Sequence, residues 1–222
     1  MKSRQSNRTN LFLLRAFLPA LFIGSILGGA WQSKTFASEP SCKYSLDAEK
    51  TSLEWKAFKF TEKTGVGGKF TKVTIHGTKP GDSLESALKG LKFSLEPIDL
   101  DSGNAERDPK IKGAFFGALK GNGKISGSLS KLSLDADKKS GKGEVKLILN
   151  GVTKSVPLSF TVENGNVLLA KGSLNLNDWK AQAALKALNE VCSDLHKGKD
   201  GKSLLWPDVE ISIKSELKKD CK

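Results

Sequence analysis

Residues 143–160, GEVKLILNGVTKSVPLSF, contain two alternating segments joined by an Asn-Gly pair. Apolar residues occupy every second position on both sides of this pair: Val145, Leu147, Leu149, Val156, Leu158 and Phe160. A period of two turns one face of a strand toward a core and the other toward water, as in an antiparallel sheet. Asn-Gly is a strong signal for a two-residue turn, because both residues tolerate positive φ. The stretch therefore predicts a β-hairpin.

The same alternation recurs along most of the chain outside this hairpin. It is carried by Leu53, Trp55, Phe93, Leu95, Leu129, Leu132, Val167, Leu169, Leu174, Val209, Ile211 and Ile213. Glycines separate the segments at short intervals, where strands have to turn. Many short strands at even spacing are typical of a barrel or a sandwich, so we expect a mainly β protein.

Two segments break the alternation and predict helices. Asp108 followed by Pro109 suits the N-cap and first position of a short helix that ends near Gly117, since Pro has no N–H to leave unpaired. A longer helix is predicted from Asp178 to about His196, with Asp178 as its N-cap and an apolar stripe at helical spacing. We expect the first helix to cap one end of the β structure and the stripe of the second to pack on its core.

The N-terminal segment has the composition of a secretory signal. Four cations lie ahead of an apolar run from Ala16 to Trp31, and Thr35-Phe36-Ala37 resembles a small-residue cleavage site. We therefore expect residues 1–37 to be a signal peptide cleaved near Ala37, which leaves residues 38–222 as one periplasmic or secreted domain. An uncleaved membrane anchor is the alternative, because the run approaches the length that crosses a bilayer.

The chain carries a formal net charge of +12, part of which lies in the signal segment. That segment holds five cations and no acid, so the remaining chain has 31 basic and 24 acidic residues and a net charge of +7. Arg107 is its only arginine, whereas recognition of phosphates and bases favours arginine. The composition disfavours nucleic-acid binding and is compatible with peripheral contact with an anionic membrane surface.

Sequence motifs for catalysis and for metal or cofactor binding are missing. The two histidines, His76 and His196, have no partner at a metal-ligand spacing, and Gly65–Lys69 (GVGGK) lacks the spacing of a phosphate loop. We therefore expect a protein that is not an enzyme and that has no cofactor. An enzymatic alternative would need His76 close to an acid at the wall of a cavity.

The apolar residues of the strands permit two interpretations. They fill a solid core, or they line a cavity, since a barrel of about eight strands has an interior wide enough for one small ligand. The candidate ligand-binding residues of the second interpretation are Trp55, Phe58, Phe70, Phe93, Leu95, Phe115, Phe116, Leu129 and Phe160. Arg107 either ties a loop down or sits at the cavity mouth and binds a polar headgroup.

Three stretches resemble the YceI-like family of lipocalin-like, polyisoprenoid-binding periplasmic proteins. They are SLEWKAFKFTEKTGVGGKF (52–70), SGNAERDPKIKGAFF (102–116) and the hairpin of residues 143–160. The resemblance runs from about Tyr44 to Leu176 and again over the last strand. It implies an eight-stranded antiparallel lipocalin-like barrel around an apolar tunnel, closed by short helices. This chain departs from the family pattern over residues 178–202, where one longer helix is predicted before the last strand.

The resemblance also implies a function. We expect the barrel to bind a long apolar lipid, such as a polyisoprenoid, a quinone-like molecule or another amphiphile, for carriage or sequestration without catalysis. A filled barrel that serves as a structural or interaction module of the cell envelope is the alternative. Continuous space beneath Phe93, Phe115 and Phe116 would favour carriage.

Three cysteines follow the signal segment: Cys42, Cys192 and Cys221. In a closed antiparallel barrel the first and last strands are neighbours, so Cys42 and Cys221 are expected to meet at the same rim and form a disulfide. Cys192, on the apolar stripe of the second helix, is then a buried free thiol. The competing pairing joins Cys192 to Cys221.

Overall fold

The structure is a computed structural model that describes residues 41–222, and the predicted signal peptide lies outside the described residues. Its ten strands are β1 (Cys42–Lys59), β2 (Thr64–Phe70), β3 (Thr74–His76), β4 (Lys92–Leu95), β5 (Leu100–Asp101), β6 (Ile125–Leu134), β7 (Ser140–Leu149), β8 (Val152–Glu163), β9 (Val167–Asn175) and β10 (Leu205–Cys221). They form one antiparallel sheet in the order β3-β4-β6-β7-β8-β9-β10-β1-β2-β5. The expected mainly β class is confirmed.

The hairpin predicted from residues 143–160 is confirmed as β7 and β8. Asn150 and Gly151 have φ of 52° and 73°, the two positive values that a type I′ turn requires. The register pairs Leu149 with Val152 next to the turn. Leu149 and Val156 are 3% and 2% exposed, so the alternating positions lie on the core face as predicted.

β1 and β10 are the longest strands, and they pair along most of their length. Cys42 lies directly opposite Cys221, and the two form a disulfide with their Cα atoms 4.0 Å apart. Beside it, Ser41 and Lys222 exchange two backbone hydrogen bonds of 3.0 Å. The predicted Cys42–Cys221 disulfide is confirmed, and Cys192 is a buried free thiol.

The predicted count of eight strands is corrected to ten. The strands that leave the weakest trace in the sequence are β3 and β5, which are three and two residues long and lie at the two ends of the strand order. The sheet is curled into a half-barrel, and its ladder does not close on itself within residues 41–222. Segments this short are too brief for a period-two pattern to emerge, and short edge strands are one way in which sheets avoid further pairing.

Few helices accompany the sheet. They are α1 (Leu84–Leu88), α2 (Arg107–Lys110) and α3 (Gln182–Val191), with a π-helical turn at Ile111–Phe115 and short 3-10 or tight turns at Pro97–Asp99, Phe116–Ala118, Lys120–Gly123, Leu176–Trp179 and Ser193–His196. No helix among residues 41–222 is both long and apolar enough to span a bilayer. Both predicted helical regions, from Asp108 to about Gly117 and from Asp178 to about His196, contain helix, but each consists of several shorter pieces.

The predicted N-caps Asp108 and Asp178 are wrong. Asp108 lies inside α2 and accepts a hydrogen bond of 2.9 Å from the backbone N–H of Ser102. The second helical region opens with Asn175, whose side chain accepts from the backbone N–H of Asn177 at 3.0 Å. A capping signature is local, whereas the partner that a side chain finally takes depends on the tertiary structure.

Candidate functional site

A cavity of about 200 Å³ is bounded by the core face of the sheet and by the helical cover, which we define as residues 107–118 together with α3. Alternate residues of the long strands form much of its wall: Leu53, Trp55 and Ala57 of β1, Val145, Leu147 and Leu149 of β7, and Val209, Ile211 and Ile213 of β10. The cover adds Ile111, Phe115, Phe116, Leu185 and Leu188. All of the lining residues are apolar, so the period-two pattern that builds the sheet also builds the wall of the cavity.

The two phenylalanines of the cover lie inside the fold. Phe115 and Phe116 are 8% and 5% exposed, and their rings meet edge to face at 5.1 Å between centroids. Phe116 also meets Phe70 of β2 edge to face at 6.5 Å. Edge-to-face pairs contribute about 0.5–1.5 kcal/mol beyond burial, so these contacts help to hold the cover on the sheet.

Most of the predicted ligand-binding residues line the cavity, namely Trp55, Phe58, Phe70, Phe93, Leu95, Phe115 and Phe116. The other three, Leu129, Phe160 and Arg107, are not in its wall. Phe160 is buried against the backbone of Gly143, where a Cβ would lie 2.3 Å from its ring, and Leu129 packs on the core from a half-buried position. Alternation predicts correctly that these two residues face the core. It does not predict whether their position along the strand lies next to the cavity.

Arg107 holds the loop at Ser102 in place through hydrogen bonds, as the first of its two interpretations predicts. Its guanidinium donates to the hydroxyl of Ser102 at 2.8 Å and to the carbonyl of Ser102 at 2.5 Å. Asp108 completes the cluster by accepting from the backbone and the hydroxyl of Ser102. Burial would raise the pKa of Asp108, but the hydrogen bonds from Ser102 and the charges of Lys112 and Arg107 outweigh it and lower the pKa. The cluster fixes the start of the helical cover.

Asn150 joins the hairpin turn to two segments that are distant from it in sequence. Its side-chain oxygen accepts from the backbone N–H of Lys120 at 2.9 Å. Its side-chain amide donates to the carbonyls of Trp179 and Lys180 at 3.0 and 3.1 Å. Trp179 in turn donates its indole N–H to the carbonyl of Leu147 at 3.2 Å. Sequence reasoning missed this connection, because the Asn-Gly pair indicates only the turn.

A groove of about 670 Å³ lies outside the cavity, where β8 and β9 separate. The β8–β9 ladder stops at the pair Leu158 and Gly172, next to Pro157, which has no N–H to donate. The groove and the cavity share the lining residues Phe58, Val156, Leu174 and Val209. A single layer of side chains therefore separates the apolar cavity from the outer surface at this point.

The rim of that groove carries a fixed ion pair. Lys63 Nζ lies 2.9 Å from Asp208 Oδ2, and the amide of Asn175 donates to the other carboxylate oxygen at 2.9 Å. The hydrogen bond from Lys63 lowers the pKa of Asp208. The positive charge of Lys63 and the hydrogen bond from the Asn175 amide also lower this pKa, whereas burial of the carboxylate raises it. The polar groups of the groove thus stand directly beside the apolar wall.

Comparison with known proteins gives a family and a fold. No curated protein matches the sequence. The YceI-like domain family matches residues 44–217, which is most of the chain. The chain belongs to the YceI-like family.

Two solved structures share the fold of this YceI-like domain. A polyisoprenoid-binding domain from Saccharophagus degradans, implicated in plant cell wall breakdown, has a TM-score of 0.55 and 13% identity, and the match covers 81% of this chain and 99% of that one. BcnA of Burkholderia cenocepacia has a TM-score of 0.53 and 15% identity, with coverage of 77% and 98%.

The histidines of this YceI-like domain stand apart from the cavity wall. His76 is exposed on β3, so the arrangement that the enzymatic alternative requires at His76 is absent. His196 is 9% exposed, and its Nδ1 lies 3.0 Å from the side-chain oxygen of Asn189. No group of three or more potential metal ligands occurs among residues 41–222.

The stability of the domain is expected to depend on pH through His196. Burial lowers the pKa of His196 to about 4, and the positive charges of Lys59 and Lys110 act in the same direction. The unfolded chain binds the proton more tightly, with a pKa near 6.5, so protonation favours unfolding. The contribution of His196 to the free energy of unfolding should have its full value above pH 6.5. It should fall by up to about 3 kcal/mol as the pH drops to 4. Urea titrations across this range measure it.

His196→Gln should remove this part of the pH dependence, because glutamine does not titrate. His76→Gln is the matched control, since His76 is exposed, and it should keep the wild-type profile. Equal pH profiles for wild type and His196→Gln would contradict the assignment to His196.

Proposed function

We propose that this YceI-like domain binds one long apolar lipid, a polyisoprenoid or a quinone-like molecule, and carries or sequesters it without catalysis. The observation that carries the proposal is the cavity, whose wall is apolar throughout and which lies beneath Phe93, Phe115 and Phe116. A filled barrel would have side chains in that space. The polyisoprenoid-binding domain with the same fold supports the same class of ligand.

The apolar wall gives the driving force. Transfer of a chain from water gains about 0.8 kcal/mol per methylene, so a dry cavity needs little polar recognition. An apolar cavity of about 150 Å³ already stays dry and binds benzene, whereas pockets for larger ligands start near 300 Å³. The cavity of about 200 Å³ therefore accommodates one end of a long chain. Only the side chains of Phe58, Val156, Leu174 and Val209 separate the cavity from the outer groove, so a shift of these side chains would give the rest of the chain a path to the surface.

The finer fold assignment belongs to the same proposal. Without the short edge strands β3 and β5, the sheet has eight strands, and we assign these eight as the lipocalin-like wall around the ligand. Within it β1 and β10 are neighbouring strands, joined by the Cys42–Cys221 disulfide. A structural disulfide favours an oxidising compartment, which agrees with a periplasmic or secreted protein released by cleavage near Ala37.

Filling the cavity should weaken lipid binding. Val209 lines the cavity from β10, and Val209→Trp fills part of a space of only about 200 Å³. Binding of a fluorescent polyisoprenoid analogue should weaken at least about tenfold, which corresponds to the loss of two or so buried methylenes. Native mass spectrometry of the wild type, purified without detergent, should show a co-purifying lipid that the variant lacks.

Val191→Trp is the matched control, because Val191 is on α3 but 54% exposed, and it should bind as the wild type does. Leu174→Trp, which also lines the cavity, repeats the test if Val209→Trp unfolds through overpacking. A wild-type protein that binds neither endogenous lipid nor the analogue would refute the proposed function.

A further inference from the structure

Trp55 carries a polar group that the fold leaves without a partner. Its indole Nε1 is buried, and it is the single buried side-chain nitrogen or oxygen without a hydrogen-bond partner among residues 41–222. Buried polar groups are almost always hydrogen-bonded, and an unpaired donor costs about 1–3 kcal/mol. Such a group in a folded domain calls for a physical explanation.

Trp55 belongs to the wall of the cavity. Trp55 is a lining residue, and it pairs with Ile211 on one neighbouring strand and with Gly68 on the other. Its ring lies against the backbone of Gly68, where a Cβ would be 2.4 Å from Cζ2 of the indole. The absence of a side chain at Gly68 is therefore what allows the indole to occupy this position. The ring is held in place while its N–H has no acceptor.

Trp206 provides an internal comparison within the same wall. It also lines the cavity, but its indole N–H donates to the carbonyl of Phe60 at 2.7 Å. The other lining residues have no polar side-chain group. The N–H of Trp55 is thus the only side-chain donor in the wall, among residues 41–222, that has no acceptor within the protein.

We propose that Trp55 is a specificity-determining residue whose indole N–H donates a hydrogen bond to a neutral oxygen acceptor of the bound lipid, such as a ketone, ester, ether or hydroxyl oxygen. This inference rests on the proposed function. An anionic group is disfavoured, because the wall contains no lysine, arginine or histidine and a buried charge without a partner is strongly unfavourable. The preferred ligand is an apolar chain with one neutral acceptor along its length, rather than a pure hydrocarbon.

The test compares two probes of equal size, 2-octanone and n-nonane, on wild type and on Trp55→Phe. Displacement of a fluorescent apolar dye measures the affinities. Trp55→Phe keeps an aromatic ring but removes the donor, so it should weaken binding of the ketone about tenfold, the effect of one buried hydrogen bond. Binding of the alkane should change less than about twofold. In the wild type, the indole N–H resonance of Trp55 should shift downfield with the ketone and not with the alkane.

Trp206→Phe is the matched control, because its donor is already occupied, and it should affect the two probes equally. If Trp55→Phe weakens both probes by the same factor, Trp55 acts only through packing and the inference is overturned while lipid binding stands. If the wild type binds neither probe nor the polyisoprenoid analogue, the inference and the proposed function fall together.

Discussion

Replacing Cys42 and Cys221 together by serine should lower the free energy of unfolding by as much as about 5 kcal/mol. The disulfide spans 179 positions of sequence, and loop-closure entropy grows with the length of the loop that a bridge closes. A loss of this size is a large share of the stability of an ordinary domain. Urea denaturation of the double variant and of the oxidised wild type, at one pH and temperature, measures the difference.

Reduction supplies the control for this prediction. Wild type in excess dithiothreitol should unfold at the same urea concentration as Cys42→Ser/Cys221→Ser, because both lack the same bridge. Cys192→Ala, which removes the buried free thiol, should keep its sensitivity to dithiothreitol. A double variant within about 1 kcal/mol of the oxidised wild type would show that strand pairing alone, from Cys42–Cys221 to Ala57–Val209, holds the termini together.

The general architecture was accessible from the sequence because it depends on local patterns. Period-two alternation identified the sheet, and Asn150-Gly151 identified the hairpin, since each requires only neighbouring residues. The disulfide was predictable because the first and last strands were expected to be neighbours, and β1 and β10 are paired. The two shortest strands were not predictable, since pairing over two or three residues leaves no period in the sequence.

The candidate site was predictable in kind but not in extent. The pattern placed Trp55, Phe93 and Phe116 correctly in the wall, because alternation and the Phe-Phe pair both require an inward side chain. It also selected Phe160 and Leu129, which lie on the inner face but outside the cavity wall. Depth along a strand depends on how the cover sits on the sheet, which is a property of the tertiary structure.

Polar side chains were the hardest to place. Asp108 followed by Pro109 has the signature of a helix start, yet the carboxylate binds Ser102 in the preceding loop. Asn150 serves the turn and also bonds Lys120 and Trp179, which are far away in sequence. A hydrogen bond takes the best-placed partner in three dimensions, and a single sequence does not record which residue that is.

Trp179→Ala should have the second large effect on stability, a loss of about 3–5 kcal/mol. Trp179 is 2% exposed, and its indole N–H reaches the carbonyl of Leu147 at 3.2 Å. Its own carbonyl accepts from Asn150, so the residue links the turn after β9 to the β7–β8 hairpin. Truncation to alanine removes the ring from a site that has little freedom to collapse, because Asn150 binds the carbonyls of Trp179 and Lys180 and so holds this backbone in place.

Trp179→Phe separates the two contributions of this residue. Phenylalanine keeps most of the buried ring but leaves the carbonyl of Leu147 without its donor, so the loss should be smaller, about 1–3 kcal/mol. Thermal and urea unfolding of both variants give the ranking, with wild type most stable, Trp179→Phe next and Trp179→Ala least. Equal losses for the two variants would assign the effect to the hydrogen bond, and packing of the ring would then contribute little. Trp179 lies in the wall of the outer groove and not of the cavity, so variants that remain folded should keep the cavity itself.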